Sequence, residues 1–236
     1  MMLRAKTRKR LIIVLAVSAA CAVLVGGAFA VRLRIISHRA QEARSVGMAA
    51  YERGDWADAM SELSKFRRGH PSDPEVNFRI AEARLKQPLP GGRELGAALP
   101  LLRQVLAAQP DRLDAAHALL DIYGHGMNVE ARALAEQVLQ KHPDDVPALK
   151  ALSIALLRLK QEKTALPVAE KWAKTAPDDL ESHLTVLTLL QGLKEPPEQG
   201  LGYAETLRKA HPDDARYQLV MSVAYSMLQQ PENALT

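Results

Sequence analysis

The sequence has few of the residues on which specialised sites depend. Its 236 residues include a single cysteine, Cys21, which excludes a disulfide within the chain and any multi-cysteine zinc or iron–sulfur site. Aromatic residues make up only 4%, too few for a base-stacking surface or for the strands of a β-sandwich. Hydrophobic residues make up 47% and charged residues 25%, a balance that excludes a disordered chain.

Catalytic signatures are also missing. There is no P-loop, dinucleotide fingerprint, HExxH zinc motif or nucleophile elbow. His117, Asp121 and His125 follow a helical spacing of four, but Gly124 and Gly126 end that helix and no fourth ligand is evident. We therefore predict a polar patch there rather than a metal site. For the whole chain we predict no enzymatic activity, no cofactor and no small-molecule substrate.

The net charge of +4 hides an uneven distribution. Residues 1–44 carry nine basic side chains and one acid, Glu42, whereas residues 45–236 carry 22 basic and 26 acidic side chains. The larger segment is therefore mildly acidic and has no long run of Lys or Arg. Because nucleic-acid binding depends on clustered positive charge, we predict no nucleic-acid partner.

An uncharged run, Leu11–Val31, separates the two groups of basic residues near the N-terminus. As a helix it would measure about 30 Å, the thickness of a bilayer's hydrocarbon core. We predict a basic cytoplasmic tail over 1–10 and a transmembrane helix over 11–36. Five basic residues precede the run, which favours a cytoplasmic N-terminus and a chain that emerges on the outer, periplasmic side. The alternative is a signal peptide cut after Ala30, which would release a secreted or periplasmic protein.

A repeat runs through the rest of the chain. Five prolines are separated by 39, 33, 34 and 35 residues, and an acid follows each within two residues: Pro71, Pro110, Pro143, Pro177 and Pro212. A small residue stands twelve positions before each proline: Ala59, Ala98, Ala131, Ala165 and Gly200. Spacings of three and four between apolar residues predict helices, and proline with aspartate ends one helix and opens the next. The pattern therefore predicts an array of helical hairpins.

This pattern resembles the tetratricopeptide repeat family. The first unit is the most similar, with the motif residues Gly47, Tyr51, Gly54, Ala59, Phe66 and Pro71. The resemblance implies an all-α fold over residues 37–236, a right-handed superhelical solenoid of antiparallel helix pairs. The predicted repeats 1–6 span residues 40–73, 74–112, 113–145, 146–179, 180–214 and 215–236. The second departs from the family pattern through a cluster of Pro and Gly between residues 88 and 92.

The sixth repeat is shorter than the others. By the spacing of the first five its proline would fall beyond Thr236, so we expect the sequence to be a fragment. This expectation leaves an alternative function open. The repeats would then be one module of a longer membrane enzyme or envelope-assembly protein.

Members of this family commonly bind partners along a concave groove lined by the first helix of each repeat. The repeat register predicts the lining residues Arg44, Met48, Tyr51, Phe78, Glu82, Leu85, His117, Asp121, Lys150 and Ile154, followed by Leu157, Leu184, Thr188 and Gln191. This mixture lacks the Lys and Asn pairs of the chaperone-binding members, so it implies a protein or peptide ligand with apolar anchors. The alternative is that several of these side chains pack between helices. We predict a membrane-anchored scaffold for protein–protein interaction.

Overall fold

The protein folds almost entirely into helices. In the computed structural model, the described residues are 5–88 and 90–227, without the side chains of residues 5–25, Ala28, Pro197 and Met227. These residues form eleven α-helices and no strand: α1 (Ala5–Glu52), α2 (Trp56–Arg67), α3 (Pro74–Leu85), α4 (Arg93–Ala108), α5 (Leu113–Tyr123), α6 (Asn128–Lys141), α7 (Val146–Arg158), α8 (Glu162–Thr175), α9 (Leu180–Gly192), α10 (Pro197–Ala210) and α11 (Arg216–Met227). The all-α prediction is confirmed. Residues 1–4 of the predicted tail and residues 228–236 of repeat 6 lie outside this description.

The chain divides into two compact parts, which we describe separately. The N-terminal part ends at Glu94 and holds α1, α2 and α3, and the C-terminal part begins at Leu95, within the first turn of α4. Helices α3, α5, α7 and α9 begin at residues 74, 113, 146 and 180, which are the first residues of predicted repeats 2–5.

Helix α1 runs without interruption from Ala5 to Glu52. Residues 28–46 contain no glycine or proline, so nothing in the sequence ends a helix between the uncharged run and the first repeat. The sequence pattern predicts two separate elements here, a transmembrane helix over 11–36 and a repeat from residue 40. The structure joins them in one helix.

The predicted transmembrane helix is not supported by the structure. Within the residues whose side chains are described, no helix combines the length and the apolar character that a membrane crossing requires. Residues 11–25 of the predicted span have no described side chains.

The first repeat is built on a close crossing of α1 and α2. Gly47 and Leu63 meet there, and both are buried. The turn between the helices lies at the motif residue Gly54, which adopts a positive φ of 79° that glycine tolerates without strain. The backbone N–H of Asp55 donates to the carbonyl of Ala50 and closes the turn at 2.9 Å.

Aspartates that follow the repeat prolines cap the next helix. The Asp73 side chain accepts from the backbone N–H of Val76 at 2.9 Å, and Asp145 does the same for Ala148 at the start of α7. Asp179 accepts from Glu181 at 3.1 Å at the start of α9. Each carboxylate satisfies a backbone donor that has no partner inside the helix, which explains the acid at these three positions. Helix α5 differs, because its N-cap residue is Arg112, whose side chain does not cap it.

The core of the C-terminal part combines leucine and valine side chains with small residues and one tryptophan. Ala135, Ala165 and Ala169 have no exposed surface, which lets neighbouring helices approach closely. Trp172 on α8 is also fully buried, and its indole Nε1–H donates to the Asp179 carboxylate at 3.1 Å. The same carboxylate group therefore caps α9 and holds the tryptophan of α8.

A polar network lies inside the same part. His183 is 3% exposed, and its Nε2 lies 2.8 Å from the Pro177 carbonyl, so Nε2 carries the proton and donates. Its Nδ1 accepts from the Tyr203 hydroxyl at 2.7 Å, and the Tyr217 hydroxyl donates to the Pro177 carbonyl at 3.0 Å. Burial, with smaller contributions from Glu170 and Tyr217, raises the pKa of Tyr203 to about 12. The network joins α9, α10 and α11 through paired polar groups.

Candidate functional site

Two predicted groove residues of the N-terminal part, Tyr51 and Glu82, belong to a cluster of aromatic and charged side chains. The Tyr51 hydroxyl donates to Glu82 Oε2 at 2.5 Å, and Arg79 Nη1 donates to the same oxygen at 3.2 Å. The Arg79 guanidinium lies over the Tyr51 ring, 4.7 Å from its centroid, and Arg79 Nε donates to Glu75 at 2.7 Å. Trp56 packs edge-on against Tyr51 at 5.3 Å.

The electrostatics of this cluster keep Tyr51 protonated. Its partial burial and its hydrogen bond to Glu82 raise the pKa of the phenol above its ordinary value, although Arg79 opposes the shift. Tyr51 therefore acts as a fixed neutral donor at neutral pH. The cluster offers a ligand an aromatic edge beside a guanidinium that two carboxylates already neutralise.

Phe78, one of the predicted groove residues, does not line a groove. Phe78 is 2% exposed and belongs to the core, so a ligand cannot reach it in this structure. Phe78 is the fifth residue of repeat 2, where repeats 1, 3 and 4 have Arg, His and Lys. Phe78 is buried at that position, whereas the basic side chains and the equivalent Leu184 of repeat 5 stay partly exposed. Met48 and Leu85, also predicted, are half-buried.

The basic residues at the fifth position of repeats 1, 3 and 4 each contact an acid at the start of the next repeat's first helix. The pairs are Arg44 with Asp73 at 4.0 Å, His117 with Asp145 at 2.9 Å, and Lys150 with Glu181 at 2.5 Å. These contacts link consecutive repeats, so part of the predicted groove set supports the fold. The signal was present in the sequence, since each pair is separated by 28 to 31 residues, close to one repeat length.

A cavity of about 500 Å³ lies in the C-terminal part between α5, the start of α6 and α7. Its lining includes three of the predicted groove residues, Asp121, Lys150 and Ile154, together with the apolar side chains of Leu120, Ala131 and Ala151. His117, another predicted residue of this part, is not among the lining residues and hydrogen-bonds to Asp145 instead. The other predicted residues of this part, Leu157, Leu184, Thr188 and Gln191, do not line the cavity either. The register therefore brings three of the eight predicted residues of this part to one site.

The walls of the cavity are mainly apolar, and its rim is charged. Asp121 is exposed at one side. Arg158, which sequence reasoning missed, lies on the rim and donates through Nη1 to the carbonyl of Gly124. Lys150 is held by Glu181. Such a site fits an apolar side chain presented by a polypeptide whose polar groups reach the rim.

The candidate metal ligands His117, Asp121 and His125 do not come together as a metal site. Helix α5 ends at Tyr123, so His125 lies in the following turn, and His117 is engaged by Asp145. Within the described residues, no group of three His, Cys, Asp or Glu side chains is placed to hold a metal ion.

Comparison with known proteins identifies the repeats. Family models described as tetratricopeptide repeat match residues 47–111 and 123–190, which together make up more than half of the chain. This chain is a tetratricopeptide repeat protein. No curated protein matches it significantly.

Solved structures agree on the fold of this tetratricopeptide repeat protein. A tetratricopeptide repeat protein from Parabacteroides merdae ATCC 43184 is 15% identical with a TM-score of 0.68, over 84% of this chain and 77% of that one. MamA from AMB-1 is 18% identical with a TM-score of 0.64, over 76% and 95%. YrrB, described as a TPR protein with an unusual peptide-binding site, is 20% identical with a TM-score of 0.55, over 73% and 87%. At these identities the likeness establishes the fold alone.

Proposed function

We propose that this protein is a non-enzymatic scaffold that binds a protein or peptide partner on the first helices of its repeats. The observation that carries the proposal is the apolar cavity between α5 and α7, which is lined by Ile154, Ala151 and Leu120. Its position on the first helices of repeats 3 and 4 is where tetratricopeptide proteins commonly bind ligands. The description of YrrB as a peptide-binding protein supports the same class of ligand.

A site-directed crosslink tests this proposal in cells. A photoreactive amino acid at Ile154 should capture the partner that occupies the cavity, and the same amino acid at Val129 provides the control. Val129 is 60% exposed on α6 and is not among the cavity-lining residues. The captured partner is identified by mass spectrometry and then purified for binding measurements.

Affinity measurements with the purified partner complete the test. Ile154→Ala removes three carbons from a half-buried contact, so we expect a loss of about 1–2 kcal/mol, roughly 5- to 30-fold in Kd. Ala151→Trp should fill the cavity and abolish binding, whereas Val129→Ala should bind like the wild type. Equal affinity for all four proteins would refute the assignment of the cavity as the binding site.

Membrane anchoring is the second part of the proposal. Its support is the uncharged run Leu11–Val31, which five basic residues precede. These features favour a cytoplasmic N-terminus and repeats on the outer, periplasmic side. The alternative is cleavage after Ala30 and release.

Two measurements on the native protein separate these possibilities. Alkaline extraction of membranes should leave an anchored chain in the pellet, and intact mass should include residues 1–30. An N-terminus at Val31 would refute the anchor. Protease added to intact spheroplasts should digest the repeats, and protection of the repeats would reverse the proposed orientation.

A further inference from the structure

We propose that α1 passes through the lipid headgroup layer at residues 29–39, with lipid on every side of the helix, and that the first repeat sits directly at the membrane surface. The proposal rests on the membrane anchoring proposed above and assigns the position of the boundary. Apart from Ala30, Ser37 and His38, the residues of this stretch are large apolar residues or arginines.

Large apolar side chains are exposed on this stretch of α1. Phe29, Val31, Leu33, Ile35 and Ile36 are each 49–62% exposed, although they fall within eight consecutive residues. Elsewhere in the described chain, the exposed large apolar residues are single ones: Val46, Val129 and Leu219. A contiguous exposed apolar segment of this kind marks an interaction site.

The distribution of these residues around the helix indicates the kind of partner. At about 100° per residue, Phe29, Leu33 and Ile36 lie within about 60° of one another. Val31 and Ile35 lie on the opposite side. A protein partner or a second copy of α1 covers one face of a helix, and would leave one of these groups in water. Lipid surrounds the helix and covers both.

Two arginines alternate with the apolar residues, and a third follows them. Arg32, Arg34 and Arg39 are exposed, and among the described residues none of them forms an ion pair. By the same helical geometry Arg34 points away from Arg32 and Arg39. Long arginine side chains can lay their aliphatic stems along an apolar layer while the guanidinium reaches lipid phosphates. The partner that satisfies apolar and cationic groups on all sides at once is the interface of a bilayer.

The helix enters the first repeat immediately after this stretch. Ala43, Gly47 and Ala50 are buried against the rest of repeat 1. Ala43 is only four positions after Arg39, a rise of about 6 Å along the helix. The repeat is therefore held at the headgroup layer by a continuous helix.

A cysteine scan of the full-length chain tests the boundary. Cys21→Ala removes the native thiol, and single cysteines then replace each of the five exposed apolar residues. The proteins are reconstituted in vesicles of phosphatidylcholine and phosphatidylglycerol. The measurement is the rate of reaction with a membrane-impermeant maleimide, with Val46→Cys as the matched control. Val46 is an equally exposed apolar residue on the same helix, but it lies inside repeat 1.

We expect all five positions to react at least about tenfold more slowly than Val46→Cys, irrespective of the face. Each unit by which an apolar environment raises the pKa of a thiol lowers its reactive thiolate fraction tenfold. Slow reaction on one face and fast reaction on the other would overturn the proposal in favour of a protein partner. Fast reaction at all five positions in protein that still floats with the vesicles would overturn the boundary and leave the anchor standing. Protein that does not float with vesicles would refute the anchor itself, and this inference with it.

Discussion

At the crossing of α1 and α2, we expect Gly47→Ala to destabilise the protein, although alanine has a higher helix propensity than glycine. In Gly47→Ala, the added Cβ would lie 2.7 Å from Leu63 Cγ and 2.9 Å from the Leu63 backbone nitrogen. Leu63 is fully buried, so its side chain has no free space to enter. The contact with the backbone nitrogen can be relieved only by moving α2 away from α1.

The magnitude follows from two opposing effects. Replacing glycine with alanine at an open position inside a helix stabilises it by about 0.5–1 kcal/mol. Forcing an extra methyl into a packed contact costs about 1–3 kcal/mol. The difference is a net cost of up to about 2.5 kcal/mol, and because the contact includes the Leu63 backbone nitrogen we expect Gly47→Ala to destabilise repeat 1 by about 1–2 kcal/mol. Gly202→Ala on α10 is the matched control, because a Cβ there meets no atom within 4 Å, and we expect it to be stabilising.

Hydrogen exchange resolved by peptide is the appropriate assay, because repeat arrays open locally and need not unfold in one step. Peptides from α1 and α2 should exchange faster in Gly47→Ala, and those from α10 more slowly in Gly202→Ala. The reasoning would be refuted if Gly47→Ala protected α1 and α2 as well as Gly202→Ala protects α10. That result would mean that the two helices do not approach as closely as the structure has them.

Three further predictions concern the C-terminal part. Asp145→Ala removes the cap of α7 and the partner of His117, so urea titration should show a loss of about 1–2 kcal/mol, against less than about 0.5 kcal/mol for the exposed control Asp178→Ala. Because the folded chain raises the pKa of Tyr203 from 10.0 to about 12, its stabilising contribution is complete below pH 10 and is lost as the pH rises toward 12. Tyr203→Phe should show a smaller alkaline decline in the urea midpoint than the wild type, and an unchanged decline would contradict the assignment. Trp172→Phe leaves a void and an unpaired acceptor, so it should cost about 1–3 kcal/mol, and a neutral result would show that the core repacks.

Local chemistry explains why most of the fold could be predicted from the sequence. Each repeat proline stops a helix, and the aspartates at 73, 145 and 179 cap the helix that follows. These signals act within a few residues of each other, so they can be read without a structure. The continuous helix α1 was not predicted, because two different functions were assigned to adjacent segments. No residue between those segments breaks a helix.

The candidate site was only partly predictable. The repeat register brought Asp121, Lys150 and Ile154 to one cavity, because equivalent positions of consecutive repeats lie side by side. It could not separate exposed side chains from packed ones, and Phe78 therefore appeared among the groove residues. Arg79 and Arg158 were missed because their roles depend on partners in three dimensions, the Tyr51 ring and the Gly124 carbonyl.

The uninterrupted course of α1 also has a consequence for rotation. Each residue of a helix turns the chain by about 100°, so one residue inserted between Arg32 and Glu42 would rotate repeat 1 by that angle relative to the segment before it. Seven inserted residues, close to two full turns, would nearly restore the original phase and move the repeat by about 10 Å along the axis. The direction in which the first repeat faces is thus set by the number of residues in α1.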